Sequence, residues 1–251
     1  MKRNGTDFAP AAEHFFTLIE LLVVIAVIGI LATMLFPVVS SLRARSRTPV
    51  CIGNMRQLAI AHLTYAESFD GVFCLAWESS GRQWDVGVNC KGAGLLAAGL
   101  PVADASSDEV FQCPETKHSL TVKEGWCPKY AGYGYNYLLS FENINDAPPD
   151  YSPVTTAQLR NASGTLIAAD AVCFLDSKTL GPTSFLCNPS SGTGGYADFR
   201  HCGKAVAVYA DGHAEATANI CKAGGVPEKF QKRVGYLSED DALYDPFYTK
   251  K

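Results

Sequence analysis

The chain has 251 residues, 47% of them hydrophobic, and a formal net charge of −4. That is enough chain for one moderate domain or two small ones, and the acidic balance supplies no basic field for holding phosphates, so no nucleic-acid partner is expected. Nine cysteines stand at positions 51, 74, 90, 113, 127, 173, 187, 202 and 221 without a Cys-x2-Cys pair. This scatter argues against a zinc ribbon and for disulfides closing long loops in an oxidising compartment, with the odd thiol left free or paired between chains. The first predicted element is a helix: from Phe15 to Val39 the chain reads FFTLIELLVVIAVIGILATMLFPVV, with Glu20 its only charge. Such a run is long enough for a helix of about 20 residues to cross a hydrocarbon layer of about 30 Å. It is longer than a secretory h-region, and Ser40, Ser41, Leu42 and Arg43 follow it rather than an Ala-x-Ala-like cleavage site, so it is expected to stay on the mature chain. A carboxylate inside an apolar span is costly and marks function; an amine on a neighbouring subunit is its natural partner.

After Pro37 the helix resumes through SSLRARSR, and Thr48-Pro49 reads as an N-cap and first helical position of a new or kinked segment. Met55, Leu58, Ala59, His62, Tyr65, Ala66 and Phe69 then recur at three- and four-residue spacing, an apolar stripe predicted to bury against a sheet until Asp70-Gly71 ends the helix. His62, on that stripe, reads as a satisfied packing residue. Residues 71–130 are rich in Gly and Pro and read as an irregular insert, cystine-bridged in part. Strands are expected at Tyr133 to Ser140 (YGYNYLLS) and Thr165 to Ala171 (TLIAADA), with a loop, NINDAPPDYSPV, between them. In KAVAVYADGHAEAT, Lys204 to Tyr209 and His213 to Thr217 flank Asp211-Gly212, which predicts a hairpin. The aromatic, charge-alternating tail from Pro227 to Lys251 reads as surface packing or a contact with a neighbouring subunit.

FTLIELLVVIAVIGIL closely resembles the cleavage and methylation signature of type IV pilins and type II secretion pseudopilins. The resemblance implies a leader over residues 1–15, cut between Phe15 and Phe16 by prepilin peptidase, with Phe15 standing where the family's leader ends in Gly. Phe16 becomes the methylated first residue and Glu20 the fifth, which neutralises the neighbouring subunit's terminal amine during assembly; Pro37 falls where the family places its kinking proline. A second resemblance lies near the C-terminus, where His201 and Asp211-Gly212 fill the His-x9-Asp-Gly pattern of a large group of pilin-like bacterial proteins. CIGNMRQ at Cys51 to Gln57, the Phe-x-Cys-Pro at Phe111 to Pro114 and YGYNY are further echoes of that group.

Together these imply an α+β, pilin-like fold. Residues 16–39 form a transmembrane and assembly helix, residues 40–70 its periplasmic continuation, and residues 71–251 a globular domain in which the long kinked helix packs on an antiparallel sheet. The implied function is that of a filament subunit, a structural protein rather than an enzyme, in the bacterial inner membrane with its C-terminal domain in the periplasm. Its partners would be prepilin peptidase, copies of itself and other pilin-like subunits, and inner-membrane assembly machinery. The alternative is a membrane-tethered periplasmic binding protein that never polymerises.

No catalytic residue is expected: the sequence has no Gly-x-Ser-x-Gly elbow, no phosphate-binding Gly-x4-Gly-Lys-Ser/Thr loop and no His-Glu-x2-His. His201, Asp211 and His213 invite a metal or hydrolytic reading, since imidazole and carboxylate are ordinary ligands. A turn-forming Asp-Gly and a histidine that hydrogen-bonds the turn explain them as well, so no cofactor is expected. A structural calcium is a family possibility, with Asp146, Asp150, Asp170 and Asp176 as loose candidates.

Overall fold

A computed structural model describes residues 17–76, 84, 108–116, 132–140, 154–181, 183–191 and 194–247. Phe15 and Phe16, Cys90 and Cys127, Asp146 and Asp150, and most of the expected insert lie outside the described residues. The fold is α+β, and the chain divides into two compact units, Met1–Arg43 and Ala44–Lys251.

The described residues begin with one long helix, α1 (Leu18–Ser68, 51 residues). The interruption expected at Thr48-Pro49 is absent, and both Pro37 and Pro49 lie within helical backbone. Each proline removes one hydrogen bond and crowds the preceding turn, but a helix of this length retains many other bonds, and from Cys51 onward packing supports it. In the first unit, the 19 residues Leu18–Phe36 are long and apolar enough to cross a membrane and none is buried. A signal sequence passes the same test of length and composition.

In the second unit the predicted stripe does pack. Met55, Leu58, Ala59, His62 and Ala66 are buried, joined by Cys51 and Ala61, whereas Tyr65 is half-buried and Phe69 exposed. Helix α1 ends where Asp70 (φ 52°) and Gly71 (φ 82°) enter the left-handed region and the Gly71 N–H bonds the Ala66 carbonyl at 2.7 Å.

Among the described residues eight strands follow: β1 (Tyr133–Asn136), β2 (Leu166–Asp176), β3 (Thr179–Gly181), β4 (Phe185–Leu186), β5 (Tyr196–Asp198), β6 (Ala205–Tyr209), β7 (Ala214–Thr217) and β8 (Val234–Gly235). They form one sheet along β4-β1-β2-β5-β8, with β3 and β6 also on β2 and β7 on β6. Ala168 pairs with Tyr135 of β1 and with Val208 of β6, so β2 is central. The sheet is mixed rather than antiparallel as expected, because β1 and β4 run parallel. The β6–β7 hairpin forms where predicted, with Ala205 opposite Thr217 and Val208 opposite Ala214.

Two strand boundaries differ from expectation for identifiable reasons. β1 stops at Asn136 because that buried side chain accepts the Leu138 N–H at 3.1 Å and donates to the Leu166 and Tyr244 carbonyls, bending the chain into a 3-10 turn. β2 runs on past Ala171 to Asp176, with the Asp170 carboxylate buried and partnered inside the sheet rather than exposed near its end.

Period-two alternation divides the core. Val206 and Val208 face α1, together with Ile167, Tyr133 and Tyr135, whereas Ala205, Ala207 and Tyr209 face a second cluster with Tyr196, Val234, Tyr236 and Tyr244 from the C-terminal region.

His62 is a packing residue, as predicted, but not a satisfied one. Its ring stacks on Tyr135 at 4.4 Å between centroids, and neither nitrogen has a hydrogen-bond partner among the described residues. Burial pushes it down from 6.5 to about 3, so the fold holds it neutral. The unfolded chain protonates it below 6.5; its contribution is therefore intact above that pH and lost on acidification toward 3, by about 1.4 kcal/mol per pH unit. His62→Phe is expected to flatten the pH dependence of unfolding free energy between these limits; denaturant titrations giving equal slopes for both proteins would contradict this.

Candidate functional site

His201 and Asp211-Gly212 lie at opposite ends of β6. Five residues of extended chain put more than about 13 Å between them, so the suggested trio of His201, Asp211 and His213 does not converge. At the hairpin tip, the Gly212 N–H bonds the Tyr209 carbonyl at 2.9 Å with φ at 88°, a conformation glycine adopts without strain. Asp211 Oδ1 accepts the His213 N–H at 3.0 Å and contacts His213 Nδ1 at 2.5 Å, while the His213 ring stacks on Tyr209. Both side chains are substantially exposed. This end of the motif builds a turn.

The His201 end is buried and chemically dense. Its backbone enters a two-residue reversal: the His201 N–H bonds the Lys204 carbonyl at 3.0 Å, the Lys204 N–H returns to His201 at 3.1 Å, and Cys202 and Gly203 both have positive φ. This reversal holds the imidazole against β2 and α1. His201 Nε2 lies 3.2 Å from Cys113 Sγ and 3.3 Å from Asp170 Oδ2; Cys51 Sγ lies 3.9 Å from Cys113 Sγ and 3.6 Å from Asp170 Oδ1. All four residues are buried, and their ligand atoms lie within 4.8 Å of one another.

Each member has a structural reason to be there. Cys51 precedes Met55 by one helical turn on the face of α1 that meets the sheet. Asp170 shares the α1-facing side of β2 with Ala168, and its Oδ2 accepts the Val206 N–H at 2.7 Å. Cys113 sits in a turn gripped from three sides. Asn54 Nδ2 donates to the Gln112 carbonyl at 3.2 Å, Arg47 pairs with Glu115 at 2.7 Å, and Arg200 donates to Thr116 Oγ1 at 2.7 Å. Gly132 allows this turn to lie close, since a Cβ there would come 2.5 Å from Thr116 Oγ1 and 3.0 Å from the Cys113 nitrogen.

Arg200 is the electrostatic anchor. Its fully buried guanidinium donates to the Ala171 carbonyl at 2.6 Å, and its Nε stands 2.8 Å from Asp198 Oδ2 in an ion pair whose angle misses that of a hydrogen bond, and 4.0 Å from Asp170 Oδ1. Arg233 grips Asp198 from the other side through two bonds, at 2.7 and 2.8 Å. Burial opposes the charge on His201, but its hydrogen bond to Asp170 and the neighbouring Cys113 outweigh burial and push it up to about 10. Burial likewise opposes a Cys113 thiolate, but contacts with Cys51, His201 and Arg200 bring that thiol down to about 6.

A cysteine, a histidine and an aspartate together suggest a nucleophilic relay, but the geometry is not that of one. Cys113 and Asp170 both approach Nε2, whereas Nδ1, where an orienting carboxylate would bind, has no partner among the described residues. Two sulfurs, one nitrogen and one oxygen pointing inward are instead a donor set for a metal.

Of the residues singled out from sequence, His201 and Asp170 thus meet, whereas Asp211 and His213 stay on the hairpin. Asp176 caps a turn through the Lys178 N–H. Glu20 Oε2 accepts from both the backbone N–H and the hydroxyl of Thr17 at 2.8 Å, and the Glu20 N–H returns to Thr17 Oγ1 at 3.3 Å, a capping box at the start of α1. Among the described residues Cys51, Cys113, Cys187, Cys202 and Cys221 carry no disulfide, contrary to the bridging expected of them: Cys187 lies beside Gly194, Cys202 is exposed on its turn, and Cys221 bridges to Tyr236 through backbone alone. Sequence reading missed Cys51, Cys113 and Arg200 as members of one site; the available signal was that CIGNMRQ, Phe-x-Cys-Pro and His201 each carry one metal-binding side chain. No family model, curated protein or solved structure matches the chain.

Proposed function

We propose that the chain is a pilin-like subunit that is anchored in the membrane by the first part of α1 and assembles through it. One observation carries this reading. Leu18–Phe36 is an apolar helical stretch with no burial in the single chain, its one charge is Glu20, and the same helix continues into a packed α+β unit. A helix that is hydrophobic all round needs a lipid or protein environment, and a lone carboxylate near its start needs a cation once it leaves water. Stacking of identical helices meets both needs when each chain's new terminal amine reaches the next chain's Glu20. Processing between Phe15 and Phe16 would create that amine and leave Thr17 and Glu20 in the first turn of the mature helix.

The metal and turn chemistry around His201 is, in this reading, internal support for the domain that the filament displays. Sedimentable material sheared from cells that also make a prepilin peptidase and assembly platform tests the proposal. Chains that remain detergent-extractable monomers in that background would favour the tethered binding protein.

A further inference from the structure

We propose that Cys51, Cys113, Asp170 and His201 form a closed, four-coordinate structural site for a borderline-soft divalent cation, zinc by its donor set. This inference concerns the folded unit alone and does not rest on the assembly reading.

The first argument is geometric. Around tetrahedral zinc, with bonds of about 2.3 Å to sulfur and about 2.0–2.2 Å to nitrogen and oxygen, the ligand-to-ligand edges are about 3.8 Å for S–S, about 3.5 Å for S–N and S–O, and about 3.4 Å for N–O. The corresponding separations are 3.9 Å for Cys51 Sγ–Cys113 Sγ, 3.2 Å for Cys113 Sγ–His201 Nε2, 3.6 Å for Cys51 Sγ–Asp170 Oδ1 and 3.3 Å for His201 Nε2–Asp170 Oδ2, the last two reaching different oxygens of the one carboxylate. No pair exceeds 4.8 Å, so closing on an ion takes shifts of about 1 Å or less by the same bond lengths.

The second argument is chemical. Two thiolates select zinc over calcium or magnesium, which take oxygen ligands. Binding replaces two protons: one Zn2+, the Cys51 thiol, the Cys113 thiolate, the Asp170 carboxylate and the His201 imidazolium give a complex of two thiolates, a carboxylate and a neutral imidazole and release two protons, so the local charge is unchanged. Arg200 and Arg233 remain balanced by Asp198 and Asp170.

The third argument is architectural. The four ligands come from α1, the Cys113 turn, β2 and the reversal before β6, and Cys51 and Cys113 alone are 62 positions apart. A single ion would therefore tie the helix, the gripped turn and the central strand together. All four donors are buried, which leaves no open position for substrate and makes the site structural.

The test uses the full chain, purified in detergent from cells grown with zinc. The expected result is one zinc per chain by elemental analysis, Cys51 and Cys113 protected from alkylation in the native protein, and a thiolate-to-metal charge-transfer band after cobalt exchange. Cys113→Ser is expected to weaken zinc retention against a buffering chelator at least about tenfold, whereas Cys202→Ser, an exposed cysteine outside the site, leaves it unchanged. The cobalt spectrum requires no variant, so a misfolded Cys113→Ser protein does not remove the test. A metal-free chain lighter by about 2 Da, with Cys51 and Cys113 joined in one peptide pair, overturns the proposal in favour of a disulfide. So does a metal-free chain with both thiols open to alkylation, or zinc retained without a cobalt–thiolate band.

Discussion

Glu20→Ala is expected to abolish shear-released filaments while the protein still fractionates with membranes. Removing the carboxylate makes Leu18–Phe36 more apolar, so insertion is not impaired; what disappears is the partner for a neighbouring amine. The structure raises a competing explanation, because Glu20 also closes a capping box with Thr17. Glu20→Gln separates the two roles. An amide preserves the acceptor for the Thr17 N–H but carries no charge, so a charge-pairing role predicts that Glu20→Gln fails as completely as Glu20→Ala, whereas Glu20→Asp retains partial assembly. Normal filaments from Glu20→Gln would reduce Glu20 to a helix cap, and normal filaments from Glu20→Ala would remove it from assembly altogether.

Arg200→Met is expected to be the most damaging substitution in the second unit, lowering unfolding free energy by about 3–5 kcal/mol and the melting temperature by about 10 °C or more. Methionine fills much of the space but withdraws the bonds to Ala171 and Thr116 and leaves Asp198 and Asp170 with one buried cation fewer. The turn bearing Cys113 loses one of its three grips. Arg200→Lys is expected to recover little, because a single ammonium cannot span a carbonyl, a hydroxyl and a carboxylate as a planar guanidinium does. Arg233→Met is the contrast: its side chain is 31% exposed, and the buried Asp198 it meets keeps Arg200 as a partner, so its loss should cost about 1 kcal/mol. Thermal unfolding of the detergent-solubilised chains checks the order; equal costs for Arg200→Met and Arg233→Met would contradict a buried anchor.

What could be read from the sequence was local. The apolar stripe of α1 and the β6–β7 hairpin depend on spacing within about fifteen residues, so periodicity and Asp211-Gly212 were sufficient to place them. Elements decided by distant partners were misplaced. The strand expected over Thr165 to Ala171 runs on to Asp176, and the burial of Asp170 beside Arg200, His201 and the Val206 N–H, which no local pattern shows, keeps that carboxylate inside the sheet. The parallel β1–β4 pair is set by a connection too long to be read from local pattern. The site failed for a related reason. His201 was visible, but sequence proximity suggested Asp211 and His213 as its companions, whereas a strand that extends about 3.3 Å per residue carries those two away and the fold brings Cys51, Cys113 and Asp170 in. Motifs that looked like separate echoes are contiguous once α1, β2 and the Cys113 turn are packed.

The central claim, that this chain is processed and assembled through its first helix, meets its most direct test at the N-terminus. Mass spectrometry of protein recovered from the native host's membranes is expected to find a chain beginning at methylated Phe16. A chain that retains Met1 would contradict the account and make the protein a permanently tethered monomer.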